Sequence, residues 1–527
     1  MHLWTPSSPC RGLRAVYFES LANYGFAIDL RKCIGCHACT IACKSEHDIP
    51  VGVNRCWVKT VEKGTFPQTQ RLFFPVLCNQ CEDAPCMNIC PTNALYRRRD
   101  GIVDLNPEAC IGCRACMAAC PYDQLFIDPN TRTAEKCNFC ANRVENQLEP
   151  ACVSVCPTEC RIFGDLDDPT SEVAQIVQRE AFMLRKPEKG TGPKIFYLGA
   201  DEAAIRPEIA TRPFMFREGQ VSMRPIGSLD PKDSSPGDPR VDYDIPHRQA
   251  WGFDLALYLL FKGISTGAMF LSALLWFLGD RSSLIGLGGP LVSLVFSGVT
   301  AFVLVIDLER PERFYYILTR PNWSSWLARG AFLLTAHSLI ATLWAALYWF
   351  GATDALIWLA PFAMAAAFAA TAYTGFLFAQ GLARDLWQGP HGTIDLIAQA
   401  AAEGSASMLL LALAWGAGAD TIRPLAMTLA MAALAHLGIL LLEHVFTPSP
   451  TLGHDLAAKA IRKGAYARLF WLGAIGLGGL APILLVWLAA GAGFSLALLA
   501  PAAAVALAGG FAWEYIWVYA GQSVPNS

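Results

Sequence analysis

The sequence predicts two folds in tandem: a small α+β domain organised by cysteines, then an all-α bundle of eight transmembrane helices. Three observations carry this. Sixteen of the 19 cysteines fall between Cys33 and Cys156 in four sets of four. From Gly252 onward, eight apolar segments recur, each long enough at about 20 residues to cross a bilayer. The chain is also sharply divided, with nearly all cysteine before residue 161 and nearly all long apolar runs after residue 250.

The first set is Cys33, Cys36, Cys39 and Cys43, and the second is Cys78, Cys81, Cys86 and Cys90. Cys110, Cys113, Cys116 and Cys120 repeat the first, while Cys137, Cys140, Cys152 and Cys156 stretch one gap. C-x2-C-x2-C-x3-C is the bacterial ferredoxin spacing, in which three close thiolates hold one cubane and the fourth holds that of the partner set. A loop with a cysteine at every third position wraps three corners of a cubane. The fourth, opening the next segment, points away. Four 4Fe-4S clusters are therefore expected, on Cys33, Cys36, Cys39 with Cys156; Cys43 with Cys137, Cys140, Cys152; Cys78, Cys81, Cys86 with Cys120; and Cys90 with Cys110, Cys113, Cys116.

Structural zinc is the competing use of C-x2-C pairs, but zinc ribbons separate two pairs by a long spacer, and these cysteines sit in tight runs. Cys10, Cys56 and Cys160 lie outside the pattern and read as ordinary thiols. Short strands are expected at 24–30, 71–77 and 101–105, ahead of the first three sets. Residues 1–164 are thus predicted to be an α+β ferredoxin-like double dicluster domain, with ligation supplying much of its folding energy. Residues 165–246 are rich in Pro, Asp and Gly and read as an extended linker. Residues 247–527 form the membrane part.

Charged residues make up 16% of the chain, against about a quarter in soluble proteins. The net charge of -3 points to neither nucleic acid nor an acidic partner. Residues 1–21 contain no long apolar run and no paired arginines, so no export signal is expected.

The spans are expected near 252–278, 284–307, 326–350, 354–379, 393–416, 422–446, 468–490 and 493–518. An even number places both chain ends on one side. Loops on that side carry Arg310, Arg313, Arg320, Arg384, Lys459, Arg462, Lys463 and Arg468, while the opposite loops carry Arg281 and Arg423. The positive-inside rule makes the basic side cytoplasmic, with the cysteine domain facing the cytoplasm from the inner membrane.

Ionisable residues inside spans mark functional sites. Asp254, Tyr258 and Lys262 recur every four residues on one helical face of the first span. Gly263-Ile-Ser-Thr-Gly267 is a small-xxx-small pattern that admits a neighbouring helix. Asp307 ends the second span on the cluster side, and Tyr373 lies in the fourth. Such groups can hydrogen-bond a quinone headgroup and exchange its protons while the clusters exchange its electrons. His337, His436 and His444 raise the idea of haem, but lone histidines on apolar helices are more often hydrogen-bonded core residues, and the sequence argues against haem. Glu403, Glu443 and Glu514 are candidates for a proton path.

The first 200 or so residues resemble the four-cluster ferredoxin subunits of molybdopterin oxidoreductases, on Lys32-Cys-Ile-Gly-Cys-His-Ala-Cys39 and Cys110-Ile-Gly-Cys-Arg-Ala-Cys116. From Tyr243 on, the chain resembles the eight-span anchors of the polysulfide reductase and formate-dependent nitrite reductase (NrfD-like) type. That likeness rests on Trp251-Gly252, Lys262-Gly263 and Asp307-Leu-Glu-Arg-Pro-Glu-Arg-Phe314. The resemblance implies a haem-free quinone site on the cluster side of the bundle, onto which Asp254, Tyr258, Asp307 and Tyr373 are carried. It also implies that two subunits usually separate are fused here. The expected function is an electron-transfer and membrane-anchor subunit of a respiratory oxidoreductase. It would link a separate molybdopterin-type catalytic subunit to the quinone pool, menaquinone or ubiquinone, in the lipid bilayer. No nucleophile motif, phosphate loop or dinucleotide fingerprint suggests a substrate-converting site of its own. The alternative is a quinone-reactive, ion-translocating module of a larger respiratory complex.

Overall fold

The computed structural model describes residues 22–210 and 235–527, and the backbone alone of a ribbon pairing Met215–Arg217 with Gln220–Ser222. The expectation for residues 1–21, and Cys10, lie outside the described residues.

The cysteine loops hang from small sheets. Tyr24–Asp29 runs into the first set and is the centre of a four-stranded sheet, antiparallel to Arg161–Asp165 and parallel to Ile195–Leu198. A second sheet pairs Cys56–Lys63 with Gln70–Leu77 and with Arg240–Tyr243. Two short ribbons, Leu95–Arg97 with Val103–Leu105 and Phe126–Ile127 with Ala134–Glu135, brace the inner sets. The first and third sets share one backbone form. Gly35 and Gly112 have φ of 69° and 70°, and His37 and Arg114, which start the short helices behind them, both have φ of 60°. These left-handed positions turn each loop back on itself, and glycine takes the first without steric cost.

Within the stretch expected to be an extended linker, the described residues are largely folded. Glu172–Arg179 is a helix, Phe182–Met183 and Ile195–Leu198 are strands, and Ile195, Tyr197 and Leu198 are buried in the core. The Pro and Gly punctuation of this region conceals a four-residue apolar run, Ile-Phe-Tyr-Leu, that fills the place beside Tyr24–Asp29. The first domain therefore continues well past residue 164, and only a short described segment, 244–252, leads into the membrane.

Among the described residues, eight helices are long and apolar enough to cross a membrane: Phe253–Phe277, Leu284–Ile306, Trp326–Trp349, Ala355–Gln380, His391–Trp415, Ala419–Phe446, Leu469–Gly491 and Leu496–Gly521. The first is the most enclosed and packs on the second, fourth, fifth and eighth. Its Gly263 and Gly267 explain why. A side chain at Gly267 would collide with the Ala400 carbonyl, and one at Gly404 with the Gly267 backbone, so the first and fifth spans touch backbone to backbone.

One apolar core runs across the domain boundary, from Cys86, Cys110 and Cys116 to Trp251, Tyr258, Trp387 and Trp517. Polar contacts lock the same junction. Arg384 pairs with Asp123 at 3.4 Å, and Lys189 pairs with Asp385. Loops that carry Arg310, Arg313 and Arg384 bond the cysteine domain, whereas Arg281 and Arg423 lie at the far end of the bundle.

Candidate functional site

The sixteen cysteines gather into four groups. The charges of Cys78 and Cys120 act on Cys81, and those of Cys120, Cys78 and Cys81 on Cys86. Cys90, Cys110 and Cys113 surround Cys116. Cys43, Cys140 and Cys152 surround Cys137. Cys33, Cys36, Cys39 and Cys156 line one small pocket together with Cys160 and Arg161. The groups form a line, with Cys152 near Cys39, Cys137 near Cys78, and Cys116 near Cys86.

These thiols suit a cluster better than a lone ion. Each group brings together four sulfurs, the donor set that a cubane takes. Burial pushes Cys43, Cys81 and Cys120 up to about 12. Iron held by these sulfurs would replace their protons and stabilise them as buried thiolates. Cys56 and Cys160, expected to be ordinary thiols, lie against the terminal group: Cys160 is 3.5 Å from Cys156, and Arg161 bridges Cys56 and Cys39.

The innermost group opens on the membrane part. Cys113 lines a cavity of about 380 Å³ together with Trp251, Tyr258, Asp307 and Tyr373, and its walls are otherwise mostly apolar side chains of the second and third spans. That volume is in the range of small-molecule sites. The Tyr258 and Tyr373 hydroxyls are hydrogen-bonded to each other on its inner wall. Tyr258 also bonds Thr374 at 3.2 Å, and Lys262 donates to the same Thr374 hydroxyl at 2.6 Å. Lys262 does not reach the cavity; it sits behind the two tyrosines, about 5.5 Å from one ring centre and 5.6 Å from the other.

Asp307 stands at the mouth. It accepts from Arg114, which also donates to the Asp307 carbonyl at 3.0 Å. Burial pushes the Asp307 carboxyl above the usual carboxylate range, with Arg114 opposing. The rest of the Asp307 to Phe314 segment clamps the cluster loop: Arg310 N donates to Ile111 O, and Arg313 donates to Cys110 O at 3.0 Å. Gly112 is needed here too, because a side chain would strike Glu309. Asn322 and Trp251 bond the carbonyls of Cys90 and Cys113.

Of the four residues carried onto a quinone site, Tyr258, Asp307 and Tyr373 meet at the cavity. Asp254 does not. It is exposed in the first turn of its helix and is felt at the site through its charge on Asp307. Sequence reasoning missed Arg114, whose place between Cys113 and Cys116 was the available signal. It also missed Ser297, which lines the inner cavity and bonds Ser265 at 2.8 Å, with His337 a further 3.2 Å from Ser265. His436 bonds Asp395 at 2.5 Å, and His444 packs on Trp513 and Phe470.

A cysteine-lined electron path ending at a cavity inside an eight-helix bundle defines a membrane-anchored iron-sulfur electron-transfer subunit of an oxidoreductase. Residues 69–166 match the 4Fe-4S dicluster domain family, and residues 244–526 match the family described as polysulphide reductase, NrfD. The chain belongs to the polysulphide reductase NrfD family, with an iron-sulfur subunit fused ahead of it. About a third of the chain aligns with separate iron-sulfur proteins. The tetrathionate reductase B subunit of Salmonella typhimurium is 43% identical over 189 residues, 35% of this chain and 76% of the relative. The protein NrfC of Escherichia coli is 44% identical over 178 residues, 33% of this chain and 79% of the relative. The arsenate respiratory reductase iron-sulfur subunit ArrB of a Shewanella species is 36% identical over 222 residues, 33% of this chain and 95% of the relative.

Proposed function

We propose that this chain connects a separate catalytic subunit, carrying a molybdenum or tungsten pterin cofactor, to membrane quinone, and that its sixteen patterned cysteines hold four 4Fe-4S clusters in the groups described. Clusters of this kind supply one-electron transfer. One observation carries the reading: Cys113, of the innermost group, lines the same cavity as Tyr258, Asp307 and Tyr373. A headgroup bound there, of menaquinone or ubiquinone, lies beside a cluster ligand and beside hydroxyl and carboxyl groups able to bond and protonate its oxygens. The Tyr258 and Tyr373 hydroxyls orient one carbonyl at the inner wall. Asp307, held at the mouth by Arg114, exchanges protons with the cluster side. Apolar walls exclude water and accept the isoprenoid tail. The cysteine domain faces the cytoplasm, because the loops bonded to it hold most of the basic residues of the membrane part.

The test is direct. The chain is reduced in proteoliposomes, a quinone is added, and the return of the cluster absorbance is followed. Ala331→Trp fills the cavity from the third span and is expected to block reoxidation while leaving bound iron unchanged. Reoxidation at the wild-type rate in that variant rules the cavity out.

A second reading, an ion-translocating module, draws on Lys262, Glu403 and Glu443. Its specific support is that the buried Glu403 carboxyl packs on Gly263, next to Lys262, and pairs with the buried Glu514 carboxyl. Proton uptake by vesicles beyond the quinone's own stoichiometry supports this reading, and uptake that matches the stoichiometry removes it.

A further inference from the structure

Arg161 opens the strand that follows the fourth cysteine set, and it is 2% exposed. One amino group of its guanidinium lies 3.4 Å from the Cys39 sulfur and 3.2 Å from the Cys56 sulfur. The guanidinium also lies against Cys152, a ligand of the neighbouring group. The charges that act on it most strongly are those of Cys56, Cys39, Cys152 and Cys160, with no carboxylate among them. Other arginines near the array are different: Arg55 pairs with Glu135, and Arg114 with Asp307.

A cation buried without an anionic partner costs several kcal/mol, so a fold that keeps one normally supplies a counter-charge. Cys39 is a ligand in the terminal group, at the opposite end of the array from the membrane cavity. A cubane with four thiolates is anionic and becomes more so when it accepts an electron. A fixed positive charge and an N–H···S hydrogen bond therefore stabilise its reduced form more than its oxidised form, which raises its potential.

We propose that Arg161 is the counter-charge of the terminal cluster and sets its reduction potential above the value its thiolates alone would give. The proposal rests on the cluster assignment made above. It makes the end of the array where Cys36 is exposed the better electron acceptor.

The full chain in detergent is titrated potentiometrically and followed by low-temperature paramagnetic resonance. Cys36→Ser removes an exposed ligand and identifies the terminal signal. In Arg161→Gln, that signal is expected to move down by at least 59 mV, a tenfold shift of a one-electron equilibrium. In Arg161→Lys, which keeps the charge, it moves less. The signals of the two groups nearest the cavity stay in place in both variants. Loss of the terminal signal in Arg161→Gln with retention in Arg161→Lys supports the charge as the essential feature. Loss in both variants, or an unmoved potential in a fully loaded Arg161→Gln, overturns the proposal. A wild-type chain with scarcely any bound iron overturns the cluster assignment instead.

Discussion

Arg114, inside a cysteine loop, and Asp307, at the end of the second span, form an ion pair across the junction of the two domains. Through it, one residue fixes the cluster loop on the membrane part and positions the carboxyl at the cavity mouth.

Breaking that pair shifts a pH profile. Burial already raises the Asp307 carboxyl, and Arg114 opposes the shift. Removing the cation in Arg114→Met therefore raises it further. If the ionised form of Asp307 is the one that accepts protons during quinol oxidation, the acid limb of the rate profile moves to higher pH. The check is quinone-linked turnover against pH, with Asp307→Asn, in which that limb is lost, as the control.

In the proposed quinone site, the paired Tyr258 and Tyr373 hydroxyls orient the headgroup. Tyr373→Phe keeps the ring packed on Gly330 but removes the hydroxyl bonded to Tyr258. Quinone-linked turnover is expected to fall about a hundredfold, in the range of a lost proton donor. Reduction of the clusters by dithionite is unchanged. Equal loss of both activities would point to misfolding instead.

The junction is expected to be acid-sensitive. Burial pushes Asp123 up, but Arg384, His247 and Lys186 more than offset it and hold it below the usual carboxylate range. Burial likewise opposes the lowering of Asp385 by Lys189 and Thr451. Groups with depressed values stabilise the folded junction fully above the ordinary carboxylate value of about 4, and that stability is lost as pH falls through their folded values. Protease nicking of the 244–252 segment is expected to accelerate below about pH 4. Asp123→Asn shows the faster cleavage already at neutral pH.

Iron removal is expected to distinguish the two folds. Cluster ligation supplies much of the small domain's stability, so anaerobic chelation should abolish its near-ultraviolet dichroism. The helical far-ultraviolet signal of the bundle persists. Cys113→Ser is expected to lower bound iron by about four per chain.

Close helix contact is equally testable. Gly267→Leu places a side chain against the Ala400 carbonyl, where backbone packs on backbone. Overpacking of this kind costs about 1–3 kcal/mol or more, read as a lower melting temperature in detergent. Gly298→Leu, which meets open space, serves as the neutral control.

The sequence by itself determined the iron-sulfur character of the first domain and the number of spans that follow it. Thiolate spacing and hydropathy are local patterns, readable along the chain. The four-residue step groups Asp254 with Tyr258, but such a step turns the helix by about 40° beyond a full revolution, and in the first turn that face looks outward. Only tertiary structure decided that the cavity includes Cys113, that Arg114 meets Asp307 across 193 residues of chain, and that Ile195–Leu198 belongs to the first sheet. Each of these depends on surfaces brought together by packing, and no spacing rule along the chain encodes which surfaces those are.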